Sequence, residues 1–260
     1  MYVKDLTSWT VNLGDDVGLP NICDRNCAGC YDDYRPKTIN LSTSPPDNRL
    51  QLYKQFGETW FPNHWKFRPR WKEDIDNYFK NSKRPKYFHF TGRGDPLFYM
   101  PCIKAYMEVH KELKYKGYGV VHTSASLLTQ ERLDKLAGWN IDEIIFNLVA
   151  TNFSPKTLAK MKIAKQKLNI AVNIPLLDIY EEQLMDHLSF FNSMHLKHLT
   201  LPTIKIYSKT GAEKLKKVLP GATRIKKLSE QEAVIENQPM LDRINKEIKI
   251  KNYKILVRTN

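Results

Sequence analysis

Short runs of strand-forming residues, each followed by a longer stretch with helical spacing, recur along most of this chain. That alternation narrows the folds open to it more than any other feature. Six runs read as strands: Ser8–Leu13, Lys86–Phe90, Tyr118–His122, Glu143–Phe146, Asn169–Asn173 and His198–Leu201. Between them, Ile103, Tyr106, Met107 and His110, and later Leu184, Leu188 and Phe191, recur at three- and four-residue intervals, which places each set on one face of a helix. Parallel strands joined through helices connect right-handedly. Six such units in succession predict an α/β fold, a partial (β/α)6 barrel making up three-quarters of a closed eight-stranded one. Functional residues are expected at the C-terminal ends of its strands.

Two regions stand outside the six units. Residues 58–71 (ETWFPNHWKFRPRW) set large aromatics among Arg and Lys, either an apolar insertion capping a barrel edge or a stacking and cation–π grip. The tail from Ser229 reads as a helix with Leu241, Ile244 and Ile248 on one side, then a short strand at Tyr253–Val257. The expected division is a barrel over residues 1–228, with 58–71 as its insertion, and a C-terminal helical and strand extension over 229–260 packed on it.

Three cysteines, Cys23, Cys27 and Cys30, follow the first strand with C-x3-C-x2-C spacing and lead directly into Tyr31. A cubane iron–sulfur cluster ordinarily takes four thiolates. Three thiolates in one loop hold three irons and leave the fourth open to a small molecule. Zinc is the competing reading, but it is usually held by four Cys and His ligands in paired spacing, and only His195 and His198 form a close histidine pair. Disulfide pairing within so short a loop makes poor closures. Cys102, the remaining cysteine, reads as a small apolar core residue, with hydrogen-atom donation as its other role. One further thiol is too few for a second cluster.

The loop CDRNCAGCY resembles the signature of the radical S-adenosylmethionine (radical SAM) superfamily in its single-cluster form, loosely like the activating enzymes of glycyl-radical proteins. The resemblance extends over roughly residues 8–203. It implies a 4Fe–4S cluster on Cys23, Cys27 and Cys30, with S-adenosylmethionine (SAM) binding the open iron through its amino and carboxylate groups. Reductive cleavage to a 5′-deoxyadenosyl radical and hydrogen-atom abstraction from a substrate would follow. Phe90–Leu97 (FTGRGDPL) resembles the family's glycine-glycine-glutamate-proline segment. Gly92, Gly94 and Asp95 are then expected around the SAM amino group, with Asp95 standing where glutamate is usual. His122–Leu128 (HTSASLL) is similar to the family's Thr-Asn-Gly-x-Leu-Leu stretch, Ser124 and Ala125 replacing Asn and Gly. The likeness puts Ser124 toward SAM, Asn147 and Asn173 toward its ribose or carboxylate, and Tyr31 beside its adenine. Read without the family, the glycine segment is a tight turn and the Thr123–Ser124 stretch a helix cap. Arg25, between the first two cysteines, would bring a positive charge near the sulfurs and tune the cluster potential.

Composition bounds the partners. The formal net charge of +13 is unevenly spread: residues 1–50 carry five Lys and Arg against seven Asp, residues 201–260 fourteen against six acids. A basic C-terminal quarter is either a lysine-rich solvated surface or an attraction for an acidic protein, a phosphorylated metabolite or nucleic acid. No apolar run is long enough for a membrane span, and clustered cysteines fit a reducing compartment, so a cytoplasmic location without membrane association is expected. The resemblance adds a flavodoxin- or ferredoxin-like one-electron reductant as partner. The primary expectation is a radical SAM enzyme acting on an acidic substrate. Alternatives are an RNA- or nucleotide-modifying radical SAM enzyme, a glycyl-radical activase or peptide-modifying enzyme, and a non-enzymatic basic zinc-binding module.

Overall fold

The computed structural model of the protein describes residues 8–12, 21–23, 38–40, 86–91, 95–112, 117–206, 225–227, 233–235 and 237–259. They fall into two compact units. The first comprises residues 1–25, 37–145 and 166–168, the second residues 26–36, 146–165 and 169–260.

In the first unit β1 (Ser8–Asn12) pairs in parallel with β4 (Lys86–Thr91), from Ser8 opposite Tyr87 to Asn12 opposite Thr91. β4 pairs in parallel with β5 (Gly117–Thr123), His89 opposite Val120 and Phe90 opposite Val121. β6 (Ile141–Asn147) follows beyond β5, and the unit boundary falls after its Ile145. Parallel neighbours need a crossover. Two helices supply these, α1 (Met100–Glu112) between β4 and β5 and α2 (Gln130–Gly138) between β5 and β6. A separate ribbon, β2 (Asn21–Cys23) on β3 (Thr38–Asn40), is also parallel.

The helical spacing explains how α1 seats. Cys102, Ile103, Tyr106, Met107 and His110 form one buried stripe, and Tyr106 meets Phe90 of β4 edge-on with centroids 5.8 Å apart. Asp95 caps the single 3-10 turn Pro96–Tyr99 that leads into α1, accepting the Leu97 N–H at 3.0 Å, while Pro96 occupies a first-turn position where no N–H is needed. Thr129 likewise caps α2 by accepting the Arg132 N–H. Gly119 allows a close approach. A β-carbon there would lie 2.8 Å from Ile141 Cδ1 and 3.3 Å from the Asn140 carbonyl oxygen, and the Gly119 N–H donates to Asp142.

In the second unit β7 (Asn169–Asn173) pairs in parallel with β8 (Leu199–Thr200), and β8 with β12 (Val257–Arg258). An antiparallel sheet in the order β10 (Ile225–Lys227), β11 (Ala233–Ile235), β9 (Ile204–Ile206) belongs to the same unit. Three helices accompany them: α3 (Pro155–Lys165), α4 (Glu181–Ser193) and α5 (Gln238–Ile250). Leu184, Leu188 and Phe191 of α4 are buried, as their spacing predicts. α5 buries Met240, Ile244 and Ile248. It is tied beside α4 by an Arg243–Glu181 fork, by Asn237 Nδ2 donating to Asp178 just before α4, and by the Lys254 N–H donating to Asn192.

All six expected strands are present, with their ends shifted by no more than two residues. The tail differs in detail. Met240 rather than Leu241 lies fully buried, and the expected strand Tyr253–Val257 is instead Val257–Arg258. The reason is the helix end: the Lys251 and Tyr253 N–H groups still close α5 onto Glu247 and Ile248, with Asn252 left-handed at φ 52°. Those residues are spent on the cap before the chain reaches β8. The aromatic segment 58–71 lies outside the described residues. Among the described residues no helix is long and apolar enough to cross a membrane.

Candidate functional site

Each unit has polar residues at or just past the C-terminal ends of its parallel strands. In the first unit the start of the turn that leads into α1 is tied to the end of β5 through one carboxylate. Asp95, only 2% exposed, accepts from the Leu97 N–H and the Thr123 hydroxyl at Oδ1, and from the Ser124 N–H and hydroxyl at Oδ2. The Thr123 hydroxyl lies 2.8 Å from both oxygens. Beyond it the chain turns sharply. The Ala125 N–H donates to Thr123 Oγ1 at 2.9 Å, the Ser126 N–H donates to Ser124 Oγ, and Ala125 sits in the left-handed region at φ 61°. Asp95 and Ser124, named separately from the sequence, are thus brought into direct contact, 2.5 Å between carboxylate and hydroxyl.

A second polar pair lies one step back on the same strands. His89 Nδ1 and His122 Nε2 are 3.0 Å apart, with ring centroids separated by 5.2 Å. Because Phe90 faces α1, alternation turns His89 to the opposite face of the sheet. His89 is opposite Val120, so His122, two residues further, shares that face. The sequence by itself assigns neither histidine a role in the site. The available signal was their placement on the same face of adjacent strands, which depends on register.

In the second unit Asn147 ends β6 and Asn173 ends β7, both half-buried. Asn147 Oδ1 is buried and has no hydrogen-bond partner among the described residues. An unsatisfied buried acceptor is costly, so this amide fits a ligand that brings an N–H or O–H donor to it. Asn173 is opposite Thr200, and the Ile174 N–H that follows donates to the Thr200 carbonyl.

Of the remaining expected site residues, Cys23 is the last residue of β2, while Arg25, Cys27, Cys30, Tyr31, Gly92 and Gly94 lie outside the described residues. Among the described residues no cluster of three or more His, Cys, Asp or Glu is arranged to hold a metal. Cys102 is fully buried in α1, and burial pushes its thiol well above the ordinary range, which suits the apolar-core reading.

No family model matches the chain, and no curated protein does. Solved structures do. The SuiB structure of Streptococcus suis bound to precursor peptide SuiA superposes with a TM-score of 0.59 at 14% identity, covering 98% of this chain and 49% of that one. SuiB bound to S-adenosylmethionine gives 0.57 at 10% identity, again over 98% of this chain. The anSMEcpe structure with bound AdoMet and Cp18Cys peptide gives 0.57 at 11% identity, covering 98% of this chain and 64% of that one. The chain therefore spans about half the length of SuiB. At these identities the shared property is the fold, the α/β architecture expected from the strand–helix alternation.

Proposed function

We propose that the chain is a radical SAM enzyme, holding a 4Fe–4S cluster through Cys23, Cys27 and Cys30 and binding S-adenosylmethionine at the C-terminal strand ends. One observation carries the reading: the fold matches AdoMet-bound structures over 98% of a chain whose cysteine triplet leaves one position of a cubane unclaimed. When bound, these groups supply one-electron cleavage of the sulfonium and, from it, hydrogen-atom abstraction from substrate.

The protein's own contribution is placement and exclusion of water. Asn147 offers a buried amide oxygen that accepts from a ligand hydroxyl or amine, and Asn173 offers a second amide at the neighbouring strand end. By their residue types, Gly92 and Gly94 would let backbone approach a ligand closely, and Tyr31 would offer an aromatic face to the adenine. Behind the strand ends, Val121, Ile144 and Val172 are fully buried and keep the strands' packed faces dry.

The basic stretch 201–260 favours an acidic substrate, and the redox step calls for a one-electron reductant of the flavodoxin or ferredoxin kind. A peptide substrate is the second reading, because two of the matching structures, those of SuiB and anSMEcpe, hold peptides.

The deciding experiment is anaerobic reconstitution with iron and sulfide, reduction, and electron paramagnetic resonance (EPR) with and without SAM, alongside an assay for 5′-deoxyadenosine. A reduced cluster signal that shifts on adding SAM, with 5′-deoxyadenosine formed, establishes the reading. A colourless zinc protein, or a cluster indifferent to SAM, ends it.

A further inference from the structure

We propose that Asp95 is a positioning residue: it acts on the cofactor site by locking the turn after β5 to the start of the turn that leads into α1, not by holding the SAM amino group itself. The inference rests on the radical SAM reading and refines the role of one residue within it.

The argument is one of hydrogen-bond capacity. An ionised carboxylate offers about four acceptor positions. At Asp95 four donors are present: the Leu97 N–H, the Thr123 hydroxyl, the Ser124 N–H and the Ser124 hydroxyl. The side chain is 2% exposed, and with its acceptor positions filled it has no lone pair left for the SAM ammonium. Three of the four donors come from β5 or the turn after it, 28 or 29 residues along the chain. The bonds therefore hold the end of β5 to the start of the turn that leads into α1.

The locked turn is one that would not hold itself. Ala125 is left-handed without being glycine, a conformation that costs about 1–2 kcal/mol for an L-residue. Its N–H is held by Thr123 Oγ1, and that same hydroxyl is fixed by Asp95. Releasing the carboxylate frees Thr123, and with it the turn that carries Ser124 and Ser126. The shorter side chain at this position also acquires a reason, since a glutamate would add a methylene inside a fully packed slot.

The test separates positioning from direct contact because the Thr123 variants alter a tie while keeping the Asp95 charge, whereas Asp95→Asn removes the charge itself. Asp95→Asn, Thr123→Val and Thr123→Ser are reconstituted, and iron content and SAM affinity are measured from the EPR shift. Amide hydrogen exchange at residues 123–126 is followed in the cluster-free protein. Positioning predicts that Thr123→Val keeps its iron, weakens SAM binding about 10-fold, and speeds exchange of the Ala125 amide together with the Ser124 and Ser126 amides. Thr123→Ser should behave as wild type, and Asp95→Asn should match or exceed the Val variant. Wild-type SAM affinity in Thr123→Val together with lost affinity in Asp95→Asn overturns the proposal in favour of direct contact. Unchanged affinity in both overturns it as well. Should Asp95→Asn fail to fold, the Val and Ser pair at Thr123 decides alone. If wild-type protein itself ignores SAM, the radical SAM reading fails and takes this proposal with it, an outcome distinct from the others.

Discussion

His89 and His122, on adjacent parallel strands, place their ring nitrogens 3.0 Å apart on the face of the sheet that looks away from α1. An N–H···N contact of this kind needs one imidazole to donate and the other to accept, so it cannot survive with both rings protonated. A double-mutant cycle with His89→Phe and His122→Phe should return a coupling energy of about 1 kcal/mol at pH 8. A coupling near zero in denaturant unfolding would mean that the two rings are neighbours without a bond.

Ala125 pays for its left-handed backbone with no evident help from its side chain, which is fully buried. Ala125→Gly is expected to raise the melting temperature by about 2–4 °C, corresponding to about 1 kcal/mol. Ala125→Val should lower it by more, because a β-branched residue tolerates that region least. Thermal unfolding of the two variants checks the sign directly.

Asn147 should show opposite effects on stability and on binding. Replacing it by Leu removes a buried acceptor that has no partner among the described residues, so the cluster-free protein should be at least as stable as wild type. SAM affinity of the reconstituted variant should fall about 10-fold. Calorimetry and SAM titration together test this, and a variant that loses stability while keeping affinity would contradict it.

The two classes of cysteine should separate cleanly. Cys23, Cys27 and Cys30 replaced together by Ala should abolish the brown colour and SAM cleavage. Cys102→Ala should retain both, since burial raises the Cys102 thiol away from the thiolate form that ligation needs. In the native protein Cys102 should also resist thiol reagents until the chain unfolds, a result read by absorbance in the triple variant.

His110 gives stability a pH dependence of known sign. Burial in α1 lowers its pKa from the ordinary 6.5, so the folded ring stays neutral where the unfolded one takes up a proton. Its contribution is complete above about pH 6.5 and is lost as pH falls from there toward the lowered folded value, at no more than about 1.4 kcal/mol per pH unit. Melting temperatures measured from pH 7.5 to 5.5 should therefore fall more steeply for wild type than for His110→Gln.

Period alone made much of the fold legible. Alternating apolar residues and three- and four-residue spacing depend only on neighbours in sequence, and they marked the six strands and the buried faces of α1 and α4 correctly. Short elements escaped for the same reason. β2, β3 and β9 to β11 are three residues each, too brief for a period to register, and they exist because a distant strand supplies their bonds. β12 is the clearest case, its position set by the cap of α5 and the register with β8.

The candidate site divides along the same line. Which residue types stand at the strand ends was readable from the sequence, because motif spacing follows the chain: Asp95, Ser124, Asn147 and Asn173 each lie at or just past a strand end. What those residues do to one another was decided in three dimensions. That Asp95 is consumed by Thr123 and Ser124, that His89 meets His122, and that Asn147 is left with a buried lone pair all depend on register and burial between segments about 30 residues or more apart. Hydrogen-bond capacity is a property of the assembled site, and no local pattern encodes it.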